Sequence, residues 1–183
     1  MNKQLGAVLV DLARRSIEQG LRDGRFKPLA LADAPQELDE PGAVFVTLKK
    51  KGDLRGCIGS PMAWRALGQD VLENAYKAAF EDPRFQPLSE AEWKDVELSV
   101  SVLTPPKPMN FTDEADLLAQ LRPEIDGLII EDAGRRALFL PSVWEALPDA
   151  KSFLAHLKVK AGLPVNHWSP GFKASRFEAV EVS

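Results

Sequence analysis

Six consecutive residues, Leu54-Arg55-Gly56-Cys57-Ile58-Gly59, bring together the one cysteine of the chain, an arginine and two glycines. In a strand, residues two apart share a face, so Arg55, Cys57 and Gly59 look one way while Leu54, Gly56 and Ile58 look the other. A guanidinium beside a thiol favours the thiolate, which is the nucleophilic form of cysteine. Glycine at 56 and 59 leaves room for another backbone or a ligand. The chemistry this spacing points to is a thiol nucleophile, Cys57, with Arg55 holding a ligand's carboxylate or phosphate or, equally, an internal carboxylate. The plain structural alternative is a small buried thiol in a tight strand-to-helix corner.

A nucleophile needs a proton carrier, and three residues are candidates. His156 lies in the helical stretch Leu154-Ala155-His156-Leu157, which suits packing. His167, in the loop Pro164-Val165-Asn166-His167-Trp168, is the more site-like of the two histidines. Glu97 falls on the polar face of an alternating strand with Ser99 and Ser101. It is solvated if that face is open and has a raised pKa, suited to acid or base work, if the face is covered. Arg84, in Asp82-Pro83-Arg84-Phe85, either holds the turn through Asp82 or binds an anionic ligand. Trp64 is the tryptophan closest to the motif and would either wall a pocket there or pack into the core. One cysteine and two histidines give no C-x-x-C or H-x-x-x-H spacing, so no metal site and no cofactor are expected.

The elements that must position these residues read as follows. Residues 3–22 carry an apolar stripe at helical period. Residues 24–42, with Pro28, Pro35 and Pro41, form an irregular surface loop. Residues 43–50 and 54–59 make a hairpin about a Lys51-Gly52 turn, a register that sets Val46 opposite Cys57. Ser60-Pro61 then supplies a capping hydroxyl for a helix running to Phe80, whose free amides would favour a bound anion; Ser60 joins Gly56 and Gly59 as a ligand-holding position. Asp82-Pro83 ends that helix, and Ser89 with Glu92 has capping-box spacing. Residues 96–103 alternate as a strand. A helix over 112–121, strands over 127–131 and 136–140 about Ala133-Gly134, helices over 141–147 and 150–161 with a stop at Gly162 and Pro164, and a last strand over 177–182 complete the reading. Helices set between antiparallel hairpins predict one α+β domain over residues 1–183, with an antiparallel sheet flanked by helices. No G-x-G-x-x-G or Walker pattern is present, which argues against a nucleotide-binding fold.

The chain has 183 residues, 45% of them hydrophobic, enough for a substantial core. Its 27 acidic and 23 basic side chains give a formal charge of -4, which offers no general attraction to nucleic acid or an anionic membrane. The basic run Lys151, Lys158, Lys160, Lys173 and Arg176, free of acidic residues, reads as a solvated face or a local anion patch. A single thiol suits a reducing compartment, and no stretch has the length of a membrane span, so a cytoplasmic location is expected.

The hexapeptide, Asp82-Pro83-Arg84-Phe85, residues 97–103, Gly127-Leu128-Ile129-Ile130 and Leu140-Pro141 together resemble the AMMECR family, which includes the A component of the AmmeMemoRadiSam set. The resemblance implies an α+β protein whose motif lies near a cleft between a larger and a smaller lobe. It also implies companions, a Memo-like protein and a radical-SAM enzyme. Two functions follow as expectations. One is a cysteine-dependent enzyme component acting on a small anionic or peptide-like substrate in the cleft; the other is a non-catalytic binding module or adaptor for those companions.

Overall fold

The computed structural model describes residues 1, 3–31 and 34–183. The chain divides into two compact units, one formed by Met1–Leu103 with Val180–Ser183, the other by Thr104–Ala179.

The first unit is a four-stranded sheet with two long helices on one face. Helix α1 (Lys3–Asp23) buries the stripe Leu5, Leu9, Leu12 and Ile17, as its period requires. After a short 3-10 turn at Gln36–Leu38, strand β1 (Pro41–Gly42) leads into β2 (Val44–Lys50) and β3 (Asp53–Gly59). Strand β4 (Arg65–Ala66) pairs with β1 and opens directly into helix α2 (Leu67–Phe80), and α3 (Glu90–Trp93) precedes β5 (Val96–Leu103). With β10 (Ala179–Val182) the sheet order is β10-β5-β2-β3. Val44, Val46 and Leu48 of β2 stand against Val102, Val100 and Leu98 of β5 and turn the same face into the helices. Each fully buried aliphatic side chain of this kind contributes roughly 1.5–3 kcal/mol.

Two details of this unit differ from what the sequence leads one to expect. The Lys51-Gly52 turn forms, with both residues at positive φ (53° and 83°) as a type I′ hairpin demands. The ladder then slips, because Lys49 faces Leu54 but Leu48 faces Gly56, leaving Arg55 as the extra residue of a β-bulge. Thr47, not Val46, therefore stands opposite Cys57. The second difference concerns the helix after the motif, which begins at Leu67 rather than at Ser60-Pro61. Ser60 has no helix to cap; its hydroxyl donates to Asp70 Oδ1 at 2.6 Å. The first helical amide, Leu67 N–H, is instead satisfied by the Glu40 carbonyl at 2.8 Å.

The second unit repeats the plan on a smaller scale. Its strands are β6 (Lys107–Pro108), β7 (Gly127–Asp132), β8 (Arg135–Phe139) and β9 (Lys173–Phe177), in the order β6-β9-β7-β8. Helices α4 (Glu114–Gln120) and α5 (Ala150–Lys160) contribute Leu117, Phe153, Leu154 and Leu157 to a core with Leu128, Ile130 and Trp144. Trp144 stacks on Phe153 with centroids 3.8 Å apart and donates its indole N–H to the Asp126 carbonyl at 2.7 Å. The Ala133-Gly134 turn, the Ser89–Glu92 capping box and the Gly162 stop (φ 81°) form as expected. The expected helix over 141–147 is a 3-10 turn, Pro141–Glu145. The expected last strand is divided between β9 and β10, so residues 173–176 belong to a strand that their own pattern does not announce.

Candidate functional site around Cys57

Strand β3 is the edge of its sheet, and the bulge decides which of its side chains work together. Gly56 keeps to the core side because the backbone of α2 lies on it, where an added Cβ would collide with the Ala78 carbonyl oxygen. Cys57 therefore points to the opposite face, in one lateral row with Thr47 of β2 and Ser99 of β5. The row is a thiol and two hydroxyls, all partly exposed. Thr47 Oγ1 and Cys57 Sγ are 3.4 Å apart, close enough for a weak hydrogen bond in either direction. In the next row along this face Phe45 stands between Gly59 and Ser101.

An edge strand leaves alternate backbone groups without a neighbour. At Cys57 those groups are taken by two side chains of the Asp82-Pro83-Arg84-Phe85 turn. Cys57 N–H donates to Asp82 Oδ2 at 3.0 Å, and Arg84 Nη2 donates to the Cys57 carbonyl at 3.3 Å. Asp82 and Arg84 are themselves paired, with Nη2 2.8 Å from Oδ2. The side chain of Asp82 is 2% exposed and that of Arg84 54%, so the carboxylate is sealed while the guanidinium reaches solvent. Hydrogen bonding by Arg84, helped by the Cys57 and Arg84 amides and opposed by burial, holds the Asp82 carboxyl down at about 2.

Arg55 does not stand with Cys57. The bulge re-aims it at Glu92, which receives Nε and Nη2 at 3.1 Å each, while Nη2 also donates to the Gln86 carbonyl at 2.8 Å. Arg55 with Lys50 and the Ser89 amide lowers the Glu92 carboxyl to about 2, Arg55 being the main cause. The guanidinium bonded to Cys57, through its carbonyl, is thus that of Arg84, and Phe85 lies near both arginines, 5.7 Å from Arg55 Cζ and 5.5 Å from Arg84 Cζ.

The remaining positions singled out from sequence fall as follows. At Gly59 the space a side chain would need is filled by the Phe45 ring. Ser60 is buried; besides donating to Asp70 it accepts Asn74 Nδ2 at 3.1 Å. Asp70, fully buried, also takes Val44 N–H at 2.9 Å and Arg65 Nε at 2.7 Å. Asp70 and Asn74, four residues apart on α2, escape sequence reasoning; their only trace there is two short polar residues on an otherwise apolar stripe. Together they pin both ends of the loop 60–66 and leave Met62 and Trp64 on its outside, Trp64 69% exposed and stacked by Arg65 at 4.6 Å. Trp64 accordingly projects into solvent rather than walling a pocket.

Glu97 shares the outer face of the sheet, one row beyond Thr47 and opposite Lys49, and it is exposed. That face is open at Glu97. His167 belongs to the second unit, where Nε2 donates to Asp132 Oδ2 at 2.7 Å and Ser169 Oγ donates to the same oxygen at 2.6 Å. Ser169 first and His167 second hold the Asp132 carboxyl below its ordinary value. His156 is spent on its own helix, donating to the Ser152 carbonyl at 2.8 Å. The basic run of α5 and β9 is not one face, since Lys158 is 0% exposed and paired with Glu114 at 2.8 Å.

The family model for AMMECR1 matches residues 10–182. This chain belongs to the AMMECR1 family. Among its AMMECR1 relatives, a protein of Methanothermobacter thermautotrophicus is 41% identical over 98% of this chain and 94% of its own length. Protein MJ0810 of Methanocaldococcus jannaschii is 37% identical over 95% and 87%. The crystal structure of uncharacterized protein PH0010 from Pyrococcus horikoshii superposes with a TM-score of 0.92 at 36% identity, covering 99% of this chain and 92% of that one. The AMMECR1 match and this superposition support the α+β fold of antiparallel sheets and flanking helices. Among the described residues no group of three His, Cys, Asp or Glu is placed to hold a metal ion. No described helix is long and apolar enough to cross a membrane.

Proposed function

We propose that the Cys57 row is the working site of this AMMECR1 protein: a reactive thiol that takes a small anionic or peptide-like group, anchored by Arg84. The observation that carries this reading is the half-exposed Arg84 guanidinium bonded to the Cys57 carbonyl while its inner side is neutralised by Asp82. Such a guanidinium is fixed in place yet keeps outward N–H groups for a carboxylate or phosphate. Thr47 and Ser99 extend the row with hydroxyls that can donate to a bound oxygen. Arg55, Gly56, Gly59 and Ser60 then serve as framework, each engaged by protein groups, and Glu97 is at most a solvent-side proton carrier at the end of the face.

The test uses two reagents that differ in charge. Iodoacetate and iodoacetamide both transfer a carbon to sulfur with loss of iodide, and only the first is an anion. Relative to free cysteine, Cys57 is expected to favour iodoacetate, and Arg84→Gln is expected to abolish that preference. A thiol that reacts with neither reagent, or a reagent ratio that Arg84→Gln leaves unchanged, sinks the reading.

A second reading, the adaptor, rests on Trp64. A large aromatic side chain held outward by a pinned loop matches the anchors that dominate protein interfaces. The companions that the family resemblance implies are the Memo-like protein and the radical-SAM enzyme. Trp64→Ala should reduce co-purification with whichever companion binds; equal recovery of the variant counts against this role.

A further inference from the structure

The second unit carries a recess of its own, lined by residues of β6, β7, β8 and β9 and of the segments beside them. Its volume is about 240 Å³, close to the lower end of ligand pockets. Ile129 of β7 and Ser175 of β9, a cross-strand pair, line it together with Met109, Phe111 and Phe172, which also pack with the unit's core. One row further along the same three strands, Glu131 pairs with Arg136 on one side and with Lys173 on the other. The rim therefore carries positive, negative and positive side chains side by side.

What distinguishes this rim is that Glu131 and Lys173 are not spent on each other. Lys158, Lys160, Arg122 and Arg176 elsewhere in the unit each bond to a carboxylate or a carbonyl. Among the described residues, by contrast, no side-chain hydrogen bond or ion pair engages Glu131, Lys173 or Ser175. A cross-strand row of opposite charges normally closes into weak ion pairs. Here an open carboxylate and an open ammonium border a half-apolar hollow.

We propose that this recess binds a small apolar α-amino acid in its zwitterionic form. The ligand ammonium faces Glu131, its carboxylate faces Lys173, and its side chain lies over Ile129 against Met109 and Phe111. A simple carboxylate would leave Glu131 facing it unfavourably, and a simple amine would meet the Lys173 ammonium; the zwitterion suits both charges. Nothing in this recess depends on Cys57.

Calorimetric titration of the full chain with L-phenylalanine, 3-phenylpropionate and phenethylamine tests it. Saturable binding of L-phenylalanine is expected, with each of the other two weaker by about fivefold or more, the scale of one partly screened charge pair. Glu131→Gln should remove the advantage over 3-phenylpropionate, and Lys173→Gln the advantage over phenethylamine. Both positions are exposed, so neither change threatens the fold. The absence of a saturable signal up to about 10 mM, beyond which binding is too weak to be specific, overturns the proposal. Equal affinity for the three compounds, or variants that bind as the parent does, also overturns it.

Discussion

Four donors converge on the Asp82 carboxylate: the amides of Cys57 and Arg84, and Nε and Nη2 of Arg84. A buried carboxylate so surrounded ties charge to fold. Its folded pKa of about 2 lies below the ordinary value of 3.8, so its contribution is present in full above that value and is lost as pH falls toward 2. With each tenfold change in proton affinity equivalent to about 1.4 kcal/mol, that contribution is on the order of 2 kcal/mol. Glu92 moves in the same direction, with less effect because its side chain is a quarter exposed. Urea unfolding of the parent should therefore show a midpoint that drops between about pH 4 and pH 2. Asp82→Asn should be less stable than the parent at neutral pH and show a smaller drop; an identical pH profile for the two chains would mean that this carboxylate does not couple charge to stability.

At the scale of elements, the closest approach in the site is between a strand and a helix. Helix α2 lies on β3 so tightly that a methyl at Gly56 would reach the Ala78 carbonyl, a backbone atom that cannot rotate away. Gly56→Ala should cost about 2–4 kcal/mol, more than ordinary overpacking, since the helix itself must shift. At Gly59 the obstacle is the Phe45 ring, so the double variant Gly59→Ala with Phe45→Ala should recover part of what Gly59→Ala loses. Thermal unfolding of the four chains measures both, and a Gly56→Ala protein as stable as the parent would refute this packing constraint. These contacts show how far the site is legible in the sequence. The alternation of β2 and β5, the positive-φ turn at Lys51-Gly52 and the capping box are all readable, because each depends on neighbours a few residues away. The bulge at Arg55 is not, because what fixes it is Glu92 and Gln86, about thirty residues on. A one-residue slip is enough to set Thr47 rather than Val46 opposite Cys57 and to leave Arg55 on Glu92. Ser60 misleads for a related reason: as a capping residue it is indistinguishable in sequence from one whose hydroxyl serves a buried Asp70.

For the whole molecule, the order of the chain makes the second unit an insertion in the first. The chain leaves the first unit after Leu103 and returns at Val180. Immediately beyond that exit Thr104 N–H donates to the Glu178 carbonyl at 2.8 Å, and Glu178 N–H donates back to Thr104 Oγ1 at 2.8 Å. The two connecting segments thus run side by side, and the continuous alternation read over 177–182 is where one strand ends and another begins. Excising residues 104–179 and bridging the gap with a short Gly-Ser linker would close a small loop, at little entropic cost. Among the described residues, the core cluster of the first unit runs from Leu5 to Val100 with Val182 packed against it. We therefore expect the bridged chain to unfold in one cooperative transition and to keep the iodoacetate preference of Cys57. Removing residues 180–183 instead should be the more damaging change, because it deletes β10 from the sheet and takes Val182 away from Gly6 of α1, where the fit is tight enough that an added Cβ would lie 2.9 Å from it. If the bridged chain loses cooperativity while the truncated one keeps it, stability is distributed the other way, and the first unit is not the scaffold on which the Cys57 site stands.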